Sequence, residues 1–260
     1  MTPALLVDDL TVSLHGRSLV KGVSFTIEPG EKVALLGASG SGKSLTASGL
    51  LGQLPPSMDV SGSLRIDGRY IRLRRRPTEA TGLSAIHQNP LAALNPLVRL
   101  GSQLAIPLKR AGLSPQSTQE RAVELLTSVG IEDPERMLSS YSGELSGGQL
   151  QRVCIALALA CRSSVLVADE PTTALDVVSQ AKVLDVLAGP SAAAQAMLFI
   201  THDLAAAETL CTRALVIKAG RIVEEAPMDI LLARPAHSYT AQLVEAAGAG
   251  LGANRVEANA

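Results

Sequence analysis

Residues Gly37–Ser44 read GASGSGKS, the spacing G-x-x-x-x-G-K-[ST]. Glycines at such intervals let backbone N–H groups turn inward around phosphate oxygens, and a helix opening behind them adds its positive end. Gly37, Ser39, Gly40, Ser41 and Gly42 form the cradle, with Leu45 in the first helical turn. Lys43 reaches β- and γ-phosphates, and the Ser44 hydroxyl ligates Mg²⁺. A second chemical group stands far downstream. Four apolar residues lead to Asp169 and Glu170 in VLVADE. Asp169 is placed to hold Mg²⁺, commonly through water, and Glu170 to orient or deprotonate an attacking water. His202 ends FITH, where it can donate to a γ-phosphate, and Gln88 follows GLSAI with an amide that can meet Mg²⁺ or that water. Each of these groups leaves the end of a short apolar run. In an α/β protein that edge is where ligands bind, and the groups together make a site for nucleotide hydrolysis.

The elements that must position them follow from the pattern. LLVDDLTVSL and VSFTI read as strands, Glu28–Glu31 as a turn, and KVALL as a buried strand running into the loop. LTASGLLGQL reads as a helix closed by Pro55 and Pro56, and SGSLRIDGRYI as a hairpin about Asp67-Gly68. From about Leu97 to Ser140 the period turns helical. Ser117 and Glu120 have the spacing of a capping box ahead of Val123, Leu126 and Val129, with Gly130 as the stop. LQRVCIALALAC is apolar nearly all round, which predicts a deeply buried helix. VLVAD and AMLFIT are strands, RALVIKAGRIVEE a hairpin about Gly220, and MDILLARP and SYTAQLVEAA closing helices. The tail 248–260, rich in Gly, Ala and Asn, is expected to be disordered. The fold class is α/β, a P-loop NTPase core with a mixed sheet flanked by helices, an antiparallel β subdomain and an inserted helical subdomain. We read 1–247 as one domain, with the helical insert at about 90–162.

Composition excludes several classes. The net charge is −1 over 260 residues, which gives no support for nucleic-acid binding through bulk charge. Two Phe, three Tyr and no Trp leave little to stack on single strands. Cys154, Cys161 and Cys211 form no C-x-x-C pair, which suggests a reducing compartment. The N-terminus does not resemble a signal peptide, and no apolar run approaches the roughly 20 residues that span a bilayer. Arg69, Arg72, Arg74, Arg75 and Arg76 crowd one stretch. We read it as a solvated loop, with contact to acidic lipid or nucleic acid as the minority reading.

One stretch is unexplained by a single nucleotide: ELSGGQLQR, Glu144–Arg152, a second glycine pair at the mouth of a helix. GASGSGKS, HQNP, LSGGQLQR, VLVADEPTTALD and ITHD, in that order, resemble the ATP-binding subunit of an ABC transporter, over about Leu5 to Ala247. The resemblance implies two such subunits packed head to tail. Ser146, Gly147, Gly148 and Gln149 of each would then close on the ATP held by the other, with Asp176 at the seam. It further implies ATP and Mg²⁺ as ligands, a second homologous ATPase subunit, two integral-membrane permeases and, indirectly, an extracytoplasmic binding protein. The place would be peripheral, on the cytoplasmic face of the inner membrane. QNPLAALNP and ARPAHSYTAQLVEA resemble segments of the peptide and nickel importers, and the length is most similar to nickel importers of the D type. YSGELSGG departs from the common YPHELSGG. The alternative within the fold is the accessory subunit of carbon–phosphorus lyase complexes; a further class is a DNA-repair or chromosome-structure ATPase with the same signature, against which the slightly acidic charge and the lack of a coiled-coil insertion argue. A P-loop kinase is a different class, and LSGGQ argues against it.

The resemblance also implies an aromatic ring to stack on adenine before the loop, where this chain has Leu14 and His15. Aromatic–base stacking is worth about 1–3 kcal/mol. ATP and GTP should therefore compete within about tenfold of each other, with ~1.4 kcal/mol per decade, and Leu14→Tyr should tighten binding. A hundredfold preference for ATP with both residues silent to substitution would place base recognition elsewhere.

Overall fold

The computed structural model describes residues 2–73, 82–189, 192 and 194–257. The chain divides into two compact units, Met1–Thr81 with Met197–Ala260, and Gly82–Ala196. Arg74, Arg75 and Arg76 lie outside the described residues, whereas Arg69 and Arg72 lie on or just after an exposed strand.

The first unit holds two sheets. In the antiparallel one, β1 (Leu5–Leu14) lies between β2 (Arg17–Ile27) and β4 (Met58–Ile66), and β5 (Arg69–Ile71) follows β4. A half-buried strand should bury alternate residues. β1 buries Leu5 and Val7, then Leu10 and Val12, so the phase slips by one. The slip is a bulge. Asp9 takes φ +53, and the pairing with both neighbours shifts there. Gly62 accommodates it, because a Cβ would lie 2.6 Å from Asp9 O. The bulge absorbs the extra residue and so keeps all four apolar side chains on the core face.

In the other sheet β3 (Lys32–Leu36) runs parallel to β8 (Ala196–Thr201) and β9 (Arg213–Lys218), and β10 (Arg221–Pro227) returns antiparallel to β9. Val33–Leu36 and all of β8 are buried, as continuous apolar strands covered on both faces must be. Among its described residues this unit has four helices: α1 (Lys43–Leu51), α7 (Leu204–Leu210), α8 (Met228–Ala233) and α9 (Ser238–Glu257). α9 continues to Glu257, where the sequence reading expects a disordered tail from Gly248; adding residues to a nucleated helix costs far less than starting one. Arg213 ties the two sheets of the unit together. It donates to Glu31 Oε1 at 2.8 Å, to Thr26 O at 2.7 Å and to Glu225. Burial works to raise Glu31, but the Arg213 bond and the Glu28 N–H outweigh it and hold the carboxyl below its usual value.

In the second unit β6 (Leu83–Ile86) pairs in parallel with β7 (Val165–Asp169). Its helices are α2 (Leu100–Arg110), α3 (Pro115–Ser128), α4 (Pro134–Ser139), α5 (Gly147–Ala160) and α6 (Val177–Ala188). The helical run expected at 90–162 is thus present as α2–α5. α5 is buried on nearly every side, through Leu150, Val153, Cys154, Ile155 and Ala158. The start of α3 differs from the expectation. Ser114, not Ser117, is the cap, accepting from Ser117 N, because Pro115 is preorganised for the first helical position. Cys154 here and Cys211 in the first unit are buried, which pushes both thiols up to about 12.

The β9–β10 turn has no room for a side chain at its second residue. Gly220 has φ +82, and a Cβ there would lie 2.0 Å from Leu19 O. Gly220→Ala should therefore cost at least about 1 kcal/mol of stability, read from the urea midpoint of the full chain.

Candidate functional site

The phosphate loop is assembled within the first unit. β3 delivers the chain to Gly37, where a Cβ would sit 2.4 Å from Ile217 O. Gly40 and Gly42 take φ +77 and +113, and Gly42 caps α1. The first helical hydrogen bond runs from Thr46 N to Gly42 O, so the amides of Lys43, Ser44 and Leu45 precede the helical ladder. Lys43 is only 7 % exposed. Its Nζ donates to Gly37 O at 2.7 Å and Ala38 O at 3.1 Å, which folds the ammonium over its own loop. A buried charge requires such partners. The Ser41 hydroxyl is buried without a hydrogen-bond partner. The Ser41 carbonyl accepts from Gly220 N at 2.8 Å, and the Gly220 carbonyl accepts from Lys21 N, so the β9–β10 turn braces the loop against β2. Helix-end amides, a buried ammonium and an orphaned hydroxyl fit a phosphate group.

His202 follows β8 and is exposed. It lines one cavity of about 280 Å³ together with Gly37 and Ala38, so two of the sequence-predicted elements meet here. Leu14 ends β1, and His15 with Gly16 makes the two-residue turn to β2 at φ +49 and +78. That turn holds His15 in solvent.

The carboxylate half lies in the second unit. Val165–Ala168 are fully buried and Asp169 is half-buried. Glu170 takes φ +50, so the chain turns as the adjacent carboxylates require. Left-handed backbone at such a residue is uncommon and concentrates at functional positions. Glu170 is 8 % exposed, and its Oε2 accepts from Thr173 Oγ1 at 2.9 Å. Register pairs Ile86 with Ala168, so Gln88 and Asp169–Glu170 leave the same edge of two paired strands. Asn89, next to Gln88, caps the short 3₁₀ turn Pro90–Ala93.

Ser146 and Gln149 lock each other at the head of α5. Ser146 Oγ accepts from Gln149 N at 3.3 Å, and Gln149 Oε1 accepts from Ser146 N at 3.1 Å. This is a capping box, visible in the sequence as S-x-x-Q but not read there. Gly147 has open space around its missing Cβ. Asp176 caps α6, accepting from Ser179 N at 2.9 Å and Ser179 Oγ at 2.8 Å; these bonds hold its carboxyl low. Two further residues escaped the sequence reading. Gln151, inside the apolar helix, donates to Pro171 O at 2.9 Å, just past Glu170. Arg152 donates to Gly148 O and Gly130 O. Polar side chains within an otherwise apolar stretch were the available signal.

The ABC transporter family matches residues 20–173, more than half of the chain. The chain belongs to that family. It is 41 % identical over 256 residues to the peptidoglycan transport ATP-binding protein YejF of Agrobacterium fabrum, covering 94 % of this chain and 47 % of YejF. It is 40 % identical over 257 residues to the oligopeptide transport ATP-binding protein OppD of Mycobacterium tuberculosis, covering 94 % and 42 %. The chain thus spans less than half the length of these two relatives. Among solved structures, the ATP-binding cassette MJ0796, a dimer in a post-hydrolysis state with ADP and Pi, matches with a TM-score of 0.73 at 27 % identity, covering 86 % of this chain and 98 % of that one. These neighbours share the fold read from the sequence. In this ABC family member no helix among the described residues is long and apolar enough to cross a membrane.

Ser146→Ala removes one arm of the capping box. The loss should be about 0.5–2 kcal/mol of stability, measured by urea unfolding. An unchanged midpoint would show that Ser146 does no capping in solution.

Proposed function

We propose that this chain is the ATP-hydrolysing subunit of a bacterial ABC importer that carries short peptides. The observation that carries the reading is the loop itself, a buried Lys43 ammonium on its own carbonyls beside an orphaned Ser41 hydroxyl and a helix N-terminus. The names of the relatives, oligopeptide and peptidoglycan transport, favour peptide cargo. Nickel, free or chelated, is the narrower reading, motivated by the likeness of QNPLAALNP and ARPAHSYTAQLVEA to segments of the peptide and nickel importers.

Lys43 exchanges the Gly37 and Ala38 carbonyls for β- and γ-phosphate oxygens. Loop amides and the α1 terminus meet the remaining charge. Bound Mg²⁺ would supply charge neutralisation between those phosphates; Ser44, Asp169 and Gln88 would hold it, one carboxylate with neutral oxygens suiting an ion that keeps water and phosphate ligands. Glu170 accepts a proton from the attacking water as the water oxygen bonds to the γ-phosphorus and the bond to the β-phosphate oxygen breaks. Thr173 steadies one Glu170 oxygen for this. His202 donates to the γ-phosphate. Ser146, Gly147, Gly148 and Gln149 close on the nucleotide of a second, homologous subunit, with Asp176 at the seam. The pair sits peripherally at the cytoplasmic face of the inner membrane against two permease subunits, and an extracytoplasmic binding protein delivers cargo to them.

Glu170→Gln should keep ATP binding and lose about 10²–10⁴-fold in turnover, since the amide keeps the shape but accepts no proton. Lys43→Ala should instead lose binding. With ATP, the Glu170→Gln chain and its partner should sediment as a dimer. A monomer that hydrolyses ATP at full rate would overturn the reading, and a phosphorylated product other than phosphate would mark a kinase.

A further inference from the structure

The ending AHSYTAQLVEA has no task in that scheme, yet it reaches the phosphate loop. The Ala38 N–H donates to Tyr239 Oη at 2.8 Å across 201 residues of sequence. The Ala38 carbonyl accepts from Lys43 Nζ. This one residue is therefore gripped on both sides, by the C-terminal helix and by the lysine. Tyr239 is itself tightly placed. The Lys218 ammonium lies 4.7 Å from its ring centroid, a distance suited to cation–π attraction. Its N–H donates to His237 Nδ1 at 3.0 Å. Glu224 on β10 accepts from Ala236 N at 2.8 Å and His237 N at 2.9 Å, which pins the approach to α9. Burial works to raise the Glu224 carboxyl, but the N–H groups of Ala236 and His237 help hold it below its usual value.

Packing does not prop the loop from this side. The space between loop and helix is the cavity of about 280 Å³, lined by Leu36, Gly37, Ala38, Leu204, Leu243 and Val244 among others. A hydroxyl bridging such a gap fixes a peptide orientation that apolar contact leaves loose.

We infer that Tyr239 is a positioning residue for the phosphate loop, its hydroxyl holding the Ala38 peptide in the orientation that presents the loop to phosphate. This rests on the nucleotide reading above. Nucleotide occupancy and the seating of α9 are then coupled, and the coupling acts in both directions.

Tyr239→Phe in the full chain keeps the ring and its Lys218 contact and removes the acceptor. ATP binding with Mg²⁺, measured by titration calorimetry, should weaken about 2- to 10-fold. By NMR the Ala38 amide should exchange slowly in the nucleotide-free parent and fast in Tyr239→Phe. Nucleotide should slow exchange along α9 in the parent but not in the variant, a response that general loosening would not abolish selectively. Equal affinity in parent and variant overturns the inference. So does an unprotected Ala38 amide in the parent, a test that stands even if the variant fails to fold. Lys43→Ala separates the two readings. If it still binds ATP, the nucleotide reading fails, while Ala38 exchange decides the Tyr239 contact by itself.

Discussion

A full positive charge sits almost out of water at Lys43, and much of the first unit is arranged around that fact. The ammonium cannot be left bare in the interior, so the loop turns two carbonyls toward it. The loop that presents them passes through left-handed backbone at Gly40 and Gly42, and a glycine at 37 lets Ile217 O approach. Elements far apart in the chain then hold the resulting shape. The β9–β10 turn grips Ser41, and Tyr239 grips Ala38. Once an anion is offered, the lysine has a stronger partner than neutral carbonyls, because Coulomb attraction between opposite charges adds to the hydrogen bond. The resting contact serves as a placeholder.

The second unit is organised by caps rather than by a buried charge. Ser146, Asp176 and Asn89 each end a loop and start a helical turn, and each lies in a segment assigned a role in the proposed mechanism. A capping side chain fixes its loop cheaply, with a side-chain oxygen and one or two N–H groups. The same residue types serve phosphate chemistry, so structural and functional demands fall on one atom. Ser146 Oγ is spent on Gln149 N in this structure. Contact with a partner's nucleotide would have to compete with that bond or share it, and a hydroxyl, having a proton of its own to donate, can do both.

Local features were legible in the sequence. GASGSGKS and VLVADE declare themselves by spacing, and the β9–β10 hairpin by its glycine. What the sequence hid was of two kinds. The cap of α3 was misplaced by three residues because Ser114 and Ser117 are chemically alike, and only Pro115 decides between them. The Tyr239–Ala38 bond, the Gly220–Ser41 brace and the Arg213–Glu31 tie join residues remote in the chain, and no local period encodes a distant partner. The positive φ of Glu170 was foreseen only as a need to turn. The fold required it, but the residue type does not advertise it.

The bulge at Asp9 gives β1 something like a reading frame. Its two halves are each in phase with the core, but not with each other, because one extra residue stands between them and the bulge absorbs it. Deleting either aspartate would restore strict alternation, with Leu5, Val7, Leu10 and Val12 on one face and no bulge left to accommodate. A one-residue change elsewhere along the strand has no such escape and would turn part of it inside out. Length differences between related chains are therefore tolerated at the aspartates, where they add or remove the bulge, and not in the paired stretches on either side.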